Sequence, residues 1–230
     1  MYSLLQATGP LVVKVTGKAF DSPEILARTV EQIRELARSR SVLVVVGGGS
    51  LARKAIDLAR SLGVASNFWL DEIGIEASRL NALLMAAALS PLSAPKIPSS
   101  LREALDMLAS HRVVVMGGLV PGQSTAAVAL EAAEMVGARE VYGLSAAGKV
   151  YDSDPSANPN ARPLDVVKAA ELKAILGSRG LPGDYALIDS TALDVAIRSK
   201  ITIKIADYRR PELLAEMVSG GNPGTTILPE

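Results

Sequence analysis

Short, nearly unbroken apolar runs recur along the chain, and longer segments of mixed polarity separate them. Five runs of four or five residues are rich in valine and isoleucine: 11–15, 42–46, 113–116, 141–144 and 201–205. Runs of this length are typical of strands that are buried on both faces, as in a parallel sheet that helices cover. The pattern therefore predicts a sheet in the middle of the fold.

The intervening segments carry apolar residues three and four positions apart, a spacing that predicts helices. One helix is expected after Ser22, because a serine cap precedes a proline and an acidic residue there. Another follows Ser100, which forms a capping box with Glu103. The remaining predicted helices are 50–62, 71–89, 124–136, 165–176 and 189–200. The segment 71–89 is apolar on nearly every side, so we expect it to be buried.

Strands and helices alternate, which predicts an α/β fold: a three-layer α/β/α sandwich with a mainly parallel central sheet and right-handed crossovers. A boundary is expected near Gly137. Residues 1–137 are predicted to form an N-terminal lobe and residues 138–230 a C-terminal lobe, with one continuous sheet shared between them. The polar, proline-rich stretch 151–163 predicts an ordered surface loop or flap.

Composition narrows the chemistry. Hydrophobic residues make up 49% of the 230 positions, which is ample for a core, and 24 basic side chains balance 24 acidic ones. A net charge of zero argues against a nucleic-acid coat or a polybasic membrane binder.

The chain has no cysteine, which excludes disulfides, thiolate metal sites and cysteine nucleophiles, and its single histidine is His111. No apolar run approaches the roughly 20 residues that a membrane-spanning helix needs. Residues 1–15 lack the basic start of a signal peptide, so we expect a cytoplasmic protein.

Three glycine-containing turns follow predicted strands. They are residues 14–18 (Lys-Val-Thr-Gly-Lys), residues 47–50 (Gly-Gly-Gly-Ser) and residues 117–125, which begin Gly-Gly and end Ser-Thr. Ligands of open α/β sheets bind at the carboxyl ends of the strands. Glycines allow backbone N–H groups to approach an anion there, and the start of a following helix adds favourable partial charge. With Lys14, Lys18 and Arg53 nearby, the turns predict a site for several phosphates.

Two other patterns suggest different nucleotide sites. Residues 143–149 match the start of a P-loop, but Val150 stands where a magnesium-binding hydroxyl is required, and the next residues do not begin a helix. Residues 47–52 also fit a dinucleotide-binding turn, with Asp71 at a suitable distance for a ribose contact. The residues before Asp71 lead into a helix instead of ending a second strand, so a dinucleotide site remains only an alternative.

The same turns resemble the motifs of the amino acid kinase superfamily, and within it those of the archaeal-type uridylate kinases. Residues 14–18 look like the family's opening K-x-[ST]-G-K turn, and residues 47–54 look like its G-G-G-x-x-A-R-[KR] loop. Residues 71–82 are similar to its nucleotide-contacting helix. The segment 121–129, Pro-Gly-Gln-Ser-Thr-Ala-Ala-Val-Ala, is the most specific match. The resemblance covers nearly the whole chain.

The resemblance implies phosphoryl transfer from ATP to UMP, giving UDP and ADP, with Mg2+ as cofactor and a homohexameric assembly. Lys14, Lys18, Arg53 and Asp189 would be catalytic, with Asp189 orienting the lysines. The residues that would hold UMP are Gly48, Asp71, Leu119, Val120, Pro121, Gly122, Gln123, Ser124 and Thr125. The residues that would hold ATP are Gly17, Lys18, Gly49, Arg53, Ser145, Tyr151 and Asp154. No direct protein ligand for a metal is expected.

One segment departs from the family pattern. The family's T-N-V-D-G-V-Y appears here as Ser-Ala-Ala-Gly-Lys-Val-Tyr at residues 145–151. The asparagine and the aspartate are absent, and Lys149 has been added. Lys149 is expected either to contact a donor phosphate or to be a solvated loop lysine. The donor pocket is therefore the part of the site that the family pattern predicts least well.

Phosphoryl transfer also fits the residues on chemical grounds. A phosphate monoester has its second pKa near about 6, so the acceptor is largely dianionic at neutral pH and needs no protein base. The task is to bring anions together and hold them in line, which lysines, an arginine, backbone N–H groups and magnesium accomplish.

Alternatives remain within and outside this family. A carboxylate kinase such as acetylglutamate kinase shares the glycine turns, and an isopentenyl phosphate kinase usually places a histidine near its acceptor. His111 precedes a strand at its far end, which argues against the latter. A non-catalytic oxyanion or nucleotide-binding protein on the same fold is the alternative from another class.

Overall fold

The computed structural model describes residues 9–153, 158, 160–177 and 188–230, and it contains a seven-stranded sheet. Its strands are β1 (Leu11–Val15), β2 (Val42–Val46), β3 (Val113–Met116), β4 (Glu140–Ser145), β7 (Val166–Lys168), β8 (Thr202–Asp207) and β9 (Thr225–Leu228). The strand order is β3-β2-β1-β4-β8-β9-β7, and all neighbouring strands are parallel except β8 and β9. A separate antiparallel pair joins β5 (Val150–Tyr151) to β6 (Pro163–Leu164). The predicted mainly parallel sheet is confirmed.

Helices cover the sheet on both faces. Besides a 3-10 helix at Gly17–Asp21, they are α1 (Pro23–Ser39), α2 (Gly49–Ser61), α3 (Asn67–Ala88), α4 (Leu101–Leu108), α5 (Thr125–Val136), α6 (Ala169–Gly177), α7 (Ser190–Ser199) and α8 (Leu213–Val218). One apolar cluster packs α4, α5 and α7 on one face, and a second packs α1, α3 and α8 on the other. The three-layer architecture is therefore confirmed.

The side chains of β1 alternate between these two clusters, and this alternation decides where Lys14 lies. Val12 belongs to the cluster with α5, whereas Val13 and Val15 belong to the cluster with α1 and α3. Since successive side chains on a strand point to opposite faces, Lys14 lies on the α5 side. Its register partners, Val45 on β2 and Gly143 on β4, place it in the middle of the sheet.

Local capping explains where several helices begin and end. The hydroxyl of Ser22 accepts a hydrogen bond from the backbone N–H of Ile25, and Ser100 does the same for Glu103. Gly137 ends α5 with a φ of 68°, in the left-handed region that favours glycine. These helix ends agree with the capping signals in the sequence.

Two predicted helix boundaries are wrong. The helix predicted at 165–176 begins instead as the strand β7, because Val166 and Val167 add to the sheet beside β9, and α6 starts only at Ala169. Two adjacent valines favour a strand, and the sheet edge is available to them. The helix predicted from Asp71 begins four residues earlier, at Asn67.

The expectation that α3 is buried on every side is also wrong. One stripe of α3 is exposed: Leu80, Leu83 and Leu84 are 47%, 48% and 53% accessible. At the start of the helix, Phe68 and Trp69 are exposed too, with their rings 5.2 Å apart in an edge-to-face arrangement. No element among the described residues covers this flank. An exposed apolar stripe of this kind marks an interaction surface.

The predicted surface stretch 151–163 is only partly described. Its two ends pair as β5 and β6, and the backbone N–H of Asp152 donates to the carbonyl of Arg162 at 3.0 Å. Asp154 lies outside the described residues. Among the residues that are described, no helix combines the length and apolarity needed to cross a membrane.

Candidate active site

The first two glycine turns touch through their backbones at the carboxyl edge of the sheet. A methyl group added to Gly17 would lie 2.1 Å from the backbone nitrogen of Gly49. One added to Gly49, whose φ is +59°, would lie 2.3 Å from the carbonyl carbon of Gly17. Only glycine fits at either position. The two predicted phosphate turns are therefore packed into one backbone surface.

Helix α3 packs against the second and third turns through two polar side chains. The hydroxyl of Ser78 accepts a hydrogen bond from the backbone N–H of Gly118 at 2.7 Å and donates one to the carbonyl of Ile75 at 2.7 Å. The side-chain amide of Asn81 donates to the carbonyl oxygens of Gly47 and Gly48, at 2.9 and 3.2 Å. These polar side chains are buried, so they fix both turns relative to α3.

A cavity of about 360 Å³ lies between α3 and the third turn. The carboxylate of Asp71 accepts a hydrogen bond from the backbone N–H of Gly122 at 2.8 Å, across the mouth of this cavity. Of the residues predicted to hold UMP, those that line the cavity are Gly48, Asp71, Val120, Gly122, Gln123, Ser124 and Thr125. Leu119 packs against the α5 cluster, and Pro121 lies between two lining residues.

Three helices begin at this edge. Helix α2 starts at Gly49, α5 starts after its cap Ser124, and α7 starts after its cap Asp189. The amino-terminal end of a helix carries a partial positive charge and free N–H groups, both of which favour a bound anion. Lys18 and Arg53 lie on the exposed side of the first two turns. The electrostatics of the edge therefore suit phosphate groups.

Lys14 lies beneath α5, beside a small cavity of about 20 Å³ whose other lining residues include Gly143, Ser145 and Ile188. Burial lowers the pKa of Lys14 from 10.5 to about 8, and the negative charge of Asp189 partly opposes this decrease. The ammonium group is still mostly protonated at neutral pH. Lys14 is thus a desolvated positive charge close enough to Asp189, at the start of α7, to interact with it electrostatically.

Asp189 joins the starts of two helices. One carboxylate oxygen accepts a hydrogen bond from the backbone N–H of Ala192 at 3.0 Å, as a cap of α7, and the other accepts one from the hydroxyl of Ser124. The same hydroxyl accepts hydrogen bonds from the backbone N–H groups of Ala126 and Ala127. The predicted cap and the electrostatic partner of Lys14 are therefore the same side chain.

Of the predicted donor residues in the C-terminal part, those that the structure describes lie at the end of β4, in β5 and in the turn between them. Ser145 is buried at the end of β4, where its carbonyl accepts a hydrogen bond from the backbone N–H of Tyr208 at 3.1 Å. Tyr151 is half-buried in β5. Lys149, expected at a phosphate or in solvent, is partly exposed and pairs with Asp165, with its Nζ 2.8 Å from a carboxylate oxygen.

The structure excludes two other nucleotide sites that the sequence suggested, a P-loop and a dinucleotide-binding turn. Residues 143–149 run from β4 into β5 with no following helix, so they do not form a P-loop. Between β2 and β3 the described chain contains only helices, so Asp71 does not follow a strand as a dinucleotide site requires. His111 precedes β3 at the opposite edge, where its Nδ1 lies 3.0 Å from the hydroxyl of Ser110.

Sequence reasoning did not include Ser78 and Asn81 among the site residues. The signal was present, because residues 71, 74, 75, 78 and 81 recur at helical spacing along one face of α3. That face lies on the second and third turns. In the described part of the chain, no group of three or more His, Asp or Glu side chains could hold a metal ion.

Comparison with known proteins places this geometry in a family. Residues 9–207 match the sequence model of the amino acid kinase family. The chain is 46% identical over 220 residues to a uridylate kinase of Staphylothermus marinus, covering 95% of this chain and 98% of that protein. It is 44% identical over 217 residues to a uridylate kinase of Pyrobaculum calidifontis, covering 94% and 99%.

Solved structures agree with these relatives. The uridylate kinase of Archaeoglobus fulgidus superimposes with a TM-score of 0.84 at 36% identity, covering 94% of this chain and all of that one (100%). The UMP kinase of Ureaplasma parvum has a TM-score of 0.77 at 21% identity and covers 96% of this chain and 99% of its own, a likeness of fold.

Proposed function

The chain belongs to the amino acid kinase family, and we propose that it transfers the γ-phosphoryl group of ATP to UMP, giving ADP and UDP, a step of pyrimidine nucleotide biosynthesis. The names of its archaeal relatives support this reaction. The observation that carries it is the cavity of about 360 Å³ beside the joined glycine turns. A volume of this size is typical of small-molecule sites.

The acceptor occupies that cavity in this proposal. Asp71 accepts hydrogen bonds from the ribose of UMP, while Gly48 and residues 119–125 surround the rest of the nucleotide. The start of α5 then faces the acceptor phosphate, and its N–H groups and partial positive charge favour the dianion. Because the acceptor is already ionised, no side chain has to remove a proton.

The donor phosphates lie over the joined turns. Gly17 and Gly49 let the phosphates approach the backbone, and Lys18 and Arg53 supply positive charge from the exposed side. Ser145 and Tyr151 lie on the side of the adenosine in this proposal, and the contact predicted for Asp154 stays a prediction. This arrangement brings the γ-phosphoryl group between the two nucleotides, where an in-line transfer needs it.

Lys14 and Lys18 stabilise the charge that spreads over the transferring phosphoryl group. Such stabilisation is strongest where charges are desolvated and fixed in advance, which describes Lys14 beneath α5. Asp189 holds Lys14 in its protonated form, because its carboxylate raises the lysine pKa against the effect of burial. It therefore orients the charge without contacting the substrate.

A divalent metal ion, Mg2+, accompanies ATP in this proposal. The phosphates of the nucleotide and water would hold it, a mode that Mg2+ commonly uses. The metal would neutralise charge on the donor phosphates.

A panel of acceptors tests the reaction. ADP release and the phosphorylated product are measured with UMP, CMP, AMP, acetylglutamate and isopentenyl phosphate, each with ATP and Mg2+. We expect UMP to have the highest kcat/KM. Preference for acetylglutamate or isopentenyl phosphate would assign a different acceptor, and nucleotide binding without any turnover would make the chain a binding protein.

We also propose that copies of the chain assemble into a homohexamer. The exposed leucine stripe of α3 supports contact between copies, because burying it would remove apolar surface from water. Light scattering after size exclusion should give six times the chain mass. Replacement of Leu84 by Glu should produce smaller species, whereas Leu105→Glu, at an exposed leucine on α4, should not.

Two further assignments remain proposals. We propose that residues 1–137 form an N-terminal lobe that binds the acceptor and carries the phosphate turns, and that residues 138–230 form a C-terminal lobe that binds the donor nucleotide. The strands β3-β2-β1 and β4-β8-β9-β7 would be the two halves of the shared sheet. We propose the cytoplasm as the site of action, and fractionation of cells that express the protein tests this location.

A further inference from the structure

The turn at 145–149, where the chain departs from its family pattern, is tied down by an ion pair. Nζ of Lys149 lies 2.8 Å from Oδ1 of Asp165, and the two side chains are 35% and 76% accessible. Lys149 immediately precedes β5, and Asp165 immediately follows β6. The pair therefore closes the open end of the β5–β6 hairpin.

Asp165 is itself held in place. Its carbonyl accepts hydrogen bonds from the backbone N–H of Thr226 and from the side-chain amide of Asn222, both at 2.9 Å. A residue fixed by the backbone of β9 is a firm attachment point for a lysine on a turn. The ion pair thus connects the turn to the central sheet.

The residues between Ser145 and Lys149 have no side chain that could fix the turn or bind a nucleotide through a polar contact. Ala146, Ala147 and Gly148 carry no polar side chains. Gly148 has a φ of +69°, and a methyl group there would lie 3.2 Å from Cβ of Asp207. Between Ser145 and Lys149, a nucleotide beside the turn meets only backbone groups and small apolar side chains, so its affinity depends on where the turn lies.

We propose that Lys149 is a positioning residue for the donor nucleotide: its ion pair with Asp165 holds the 145–149 turn in the position that binds ATP. This inference rests on the proposed kinase function. The alternative role, a direct contact of Lys149 with a donor phosphate, makes the opposite prediction for Asp165.

A double-mutant cycle separates the two roles. Lys149→Met and Asp165→Asn each remove the charge attraction with little change of shape, and the double variant removes both partners. We expect each single variant to raise KM for ATP about two- to fivefold, the range for an exposed ion pair. The double variant should be no worse than either, and KM for UMP should change less than twofold.

A matched control comes from another exposed lysine–aspartate pair. Lys173 on α6 pairs with Asp194 on α7, with side chains 43% and 55% accessible. Lys173→Met should leave KM for ATP unchanged. This result would show that loss of an exposed ion pair on the C-terminal side does not by itself weaken donor binding.

Other outcomes overturn the proposal. If Asp165→Asn lowers KM for ATP while Lys149→Met raises it, the lysine contacts the donor directly. Unchanged values in both variants, or additive effects in the double variant, would also reject the ion pair as a positioning device. Calorimetric titration of Mg–ATP without an acceptor measures donor affinity independently of turnover. Failure of the UMP reaction alone would thus reject the proposed function and leave this inference testable.

Discussion

The joined glycine turns and the adenosine side of the site are held together in different ways. The first two turns contact one another through backbone atoms of Gly17 and Gly49, while Asn81 and Ser78 fix the second and third turns to α3. On the adenosine side, the short strands β5 and β6 are joined to the sheet largely through side chains, those of Thr225, Lys149 and Asn222. Close backbone packing admits almost no substitution, whereas a side-chain contact can be replaced by another. The departure from the family pattern falls on the adenosine side.

The largest expected effect comes from Gly17→Ala, which tests whether the joined turns depend on backbone contact. The added methyl group would overlap the backbone of Gly49, so the two turns would have to separate. We expect a loss of at least about 1–3 kcal/mol of stability and loss of measurable activity. Thermal unfolding and turnover measure both. Gly9→Ala is the control, because nothing lies within 4 Å of a methyl group there. A fully active Gly17→Ala enzyme would contradict the packing argument.

The next effect concerns Lys14, which lies where the two sides meet. Its pKa of about 8 predicts that kcat falls as pH rises through that value, because the ammonium loses its charge. Asp189→Asn removes the carboxylate that raises this pKa, so the decline should begin at lower pH. Lys14→Met should lower kcat by about 100-fold or more, the scale of lost electrostatic stabilisation. Profiles of kcat against pH for the three proteins check these outcomes.

The lowered pKa of Lys14 also makes the stability of the folded protein depend on pH. Between pH 8 and 10.5 the unfolded chain binds more protons at Lys14 than the folded one, so wild-type stability rises with pH in this window. The shift from 10.5 to about 8 corresponds to about 3 kcal/mol. Lys14→Met should therefore be more stable than wild type below pH 8, with an advantage that shrinks as pH approaches 10.5. An advantage that is constant with pH would show that Lys14 is not desolvated.

Asp71→Asn tests how the acceptor side of the site recognises UMP. The substitution weakens the hydrogen bond from the backbone N–H of Gly122 and removes the charge proposed to meet the ribose. We expect KM for UMP to rise about tenfold, as for loss of a charged hydrogen bond, with much less change in KM for ATP. Initial-rate kinetics with each substrate varied in turn measure the two constants. Equal increases in both would remove Asp71 from acceptor recognition.

Thr225→Val gives the smallest expected effect and tests the donor side. The buried hydroxyl accepts a hydrogen bond from the backbone N–H of Val150 at 3.0 Å and donates one to the carbonyl of Leu164, so it joins both arms of the hairpin. Valine has nearly the same shape but leaves both backbone groups unpaired. We expect about 1–3 kcal/mol of lost stability and a KM for ATP that rises two- to fourfold. The neighbouring Thr226→Val, on the opposite face of β9, is the control.

Sequence reasoning worked best where the determining contacts are local. The strands β2 and β3 are apolar at every position, and the caps Ser22, Ser100 and Asp189 bond to residues three positions ahead. Such signals are contained within one short segment. The element order and the edge that carries the site follow from them, because parallel strands all end on the same side.

Contacts between distant residues were not predictable in this way. The strand β7 forms because β9, about sixty residues later, offers an edge, and Lys149 pairs with a residue across a hairpin. The bonds of Ser78 and Asn81 to the second and third turns join segments about thirty to forty residues apart. The exposed stripe of α3 could not be distinguished from a buried face, because hydrophobicity alone does not say whether the covering layer belongs to the same chain.

Trp69 gives the chain an optical reporter of its own. It is the single tryptophan, it is 59% exposed, and it immediately precedes Leu70 and Asp71, which line the cavity beside α3. Indole emission depends on the polarity around the ring, so ligand binding that changes the surroundings of Trp69 would alter the fluorescence spectrum without any attached dye. Dilution should move the emission to longer wavelength if subunit contacts cover the ring. The intrinsic fluorescence of Trp69 can thus report both ligand binding and assembly in the unmodified protein.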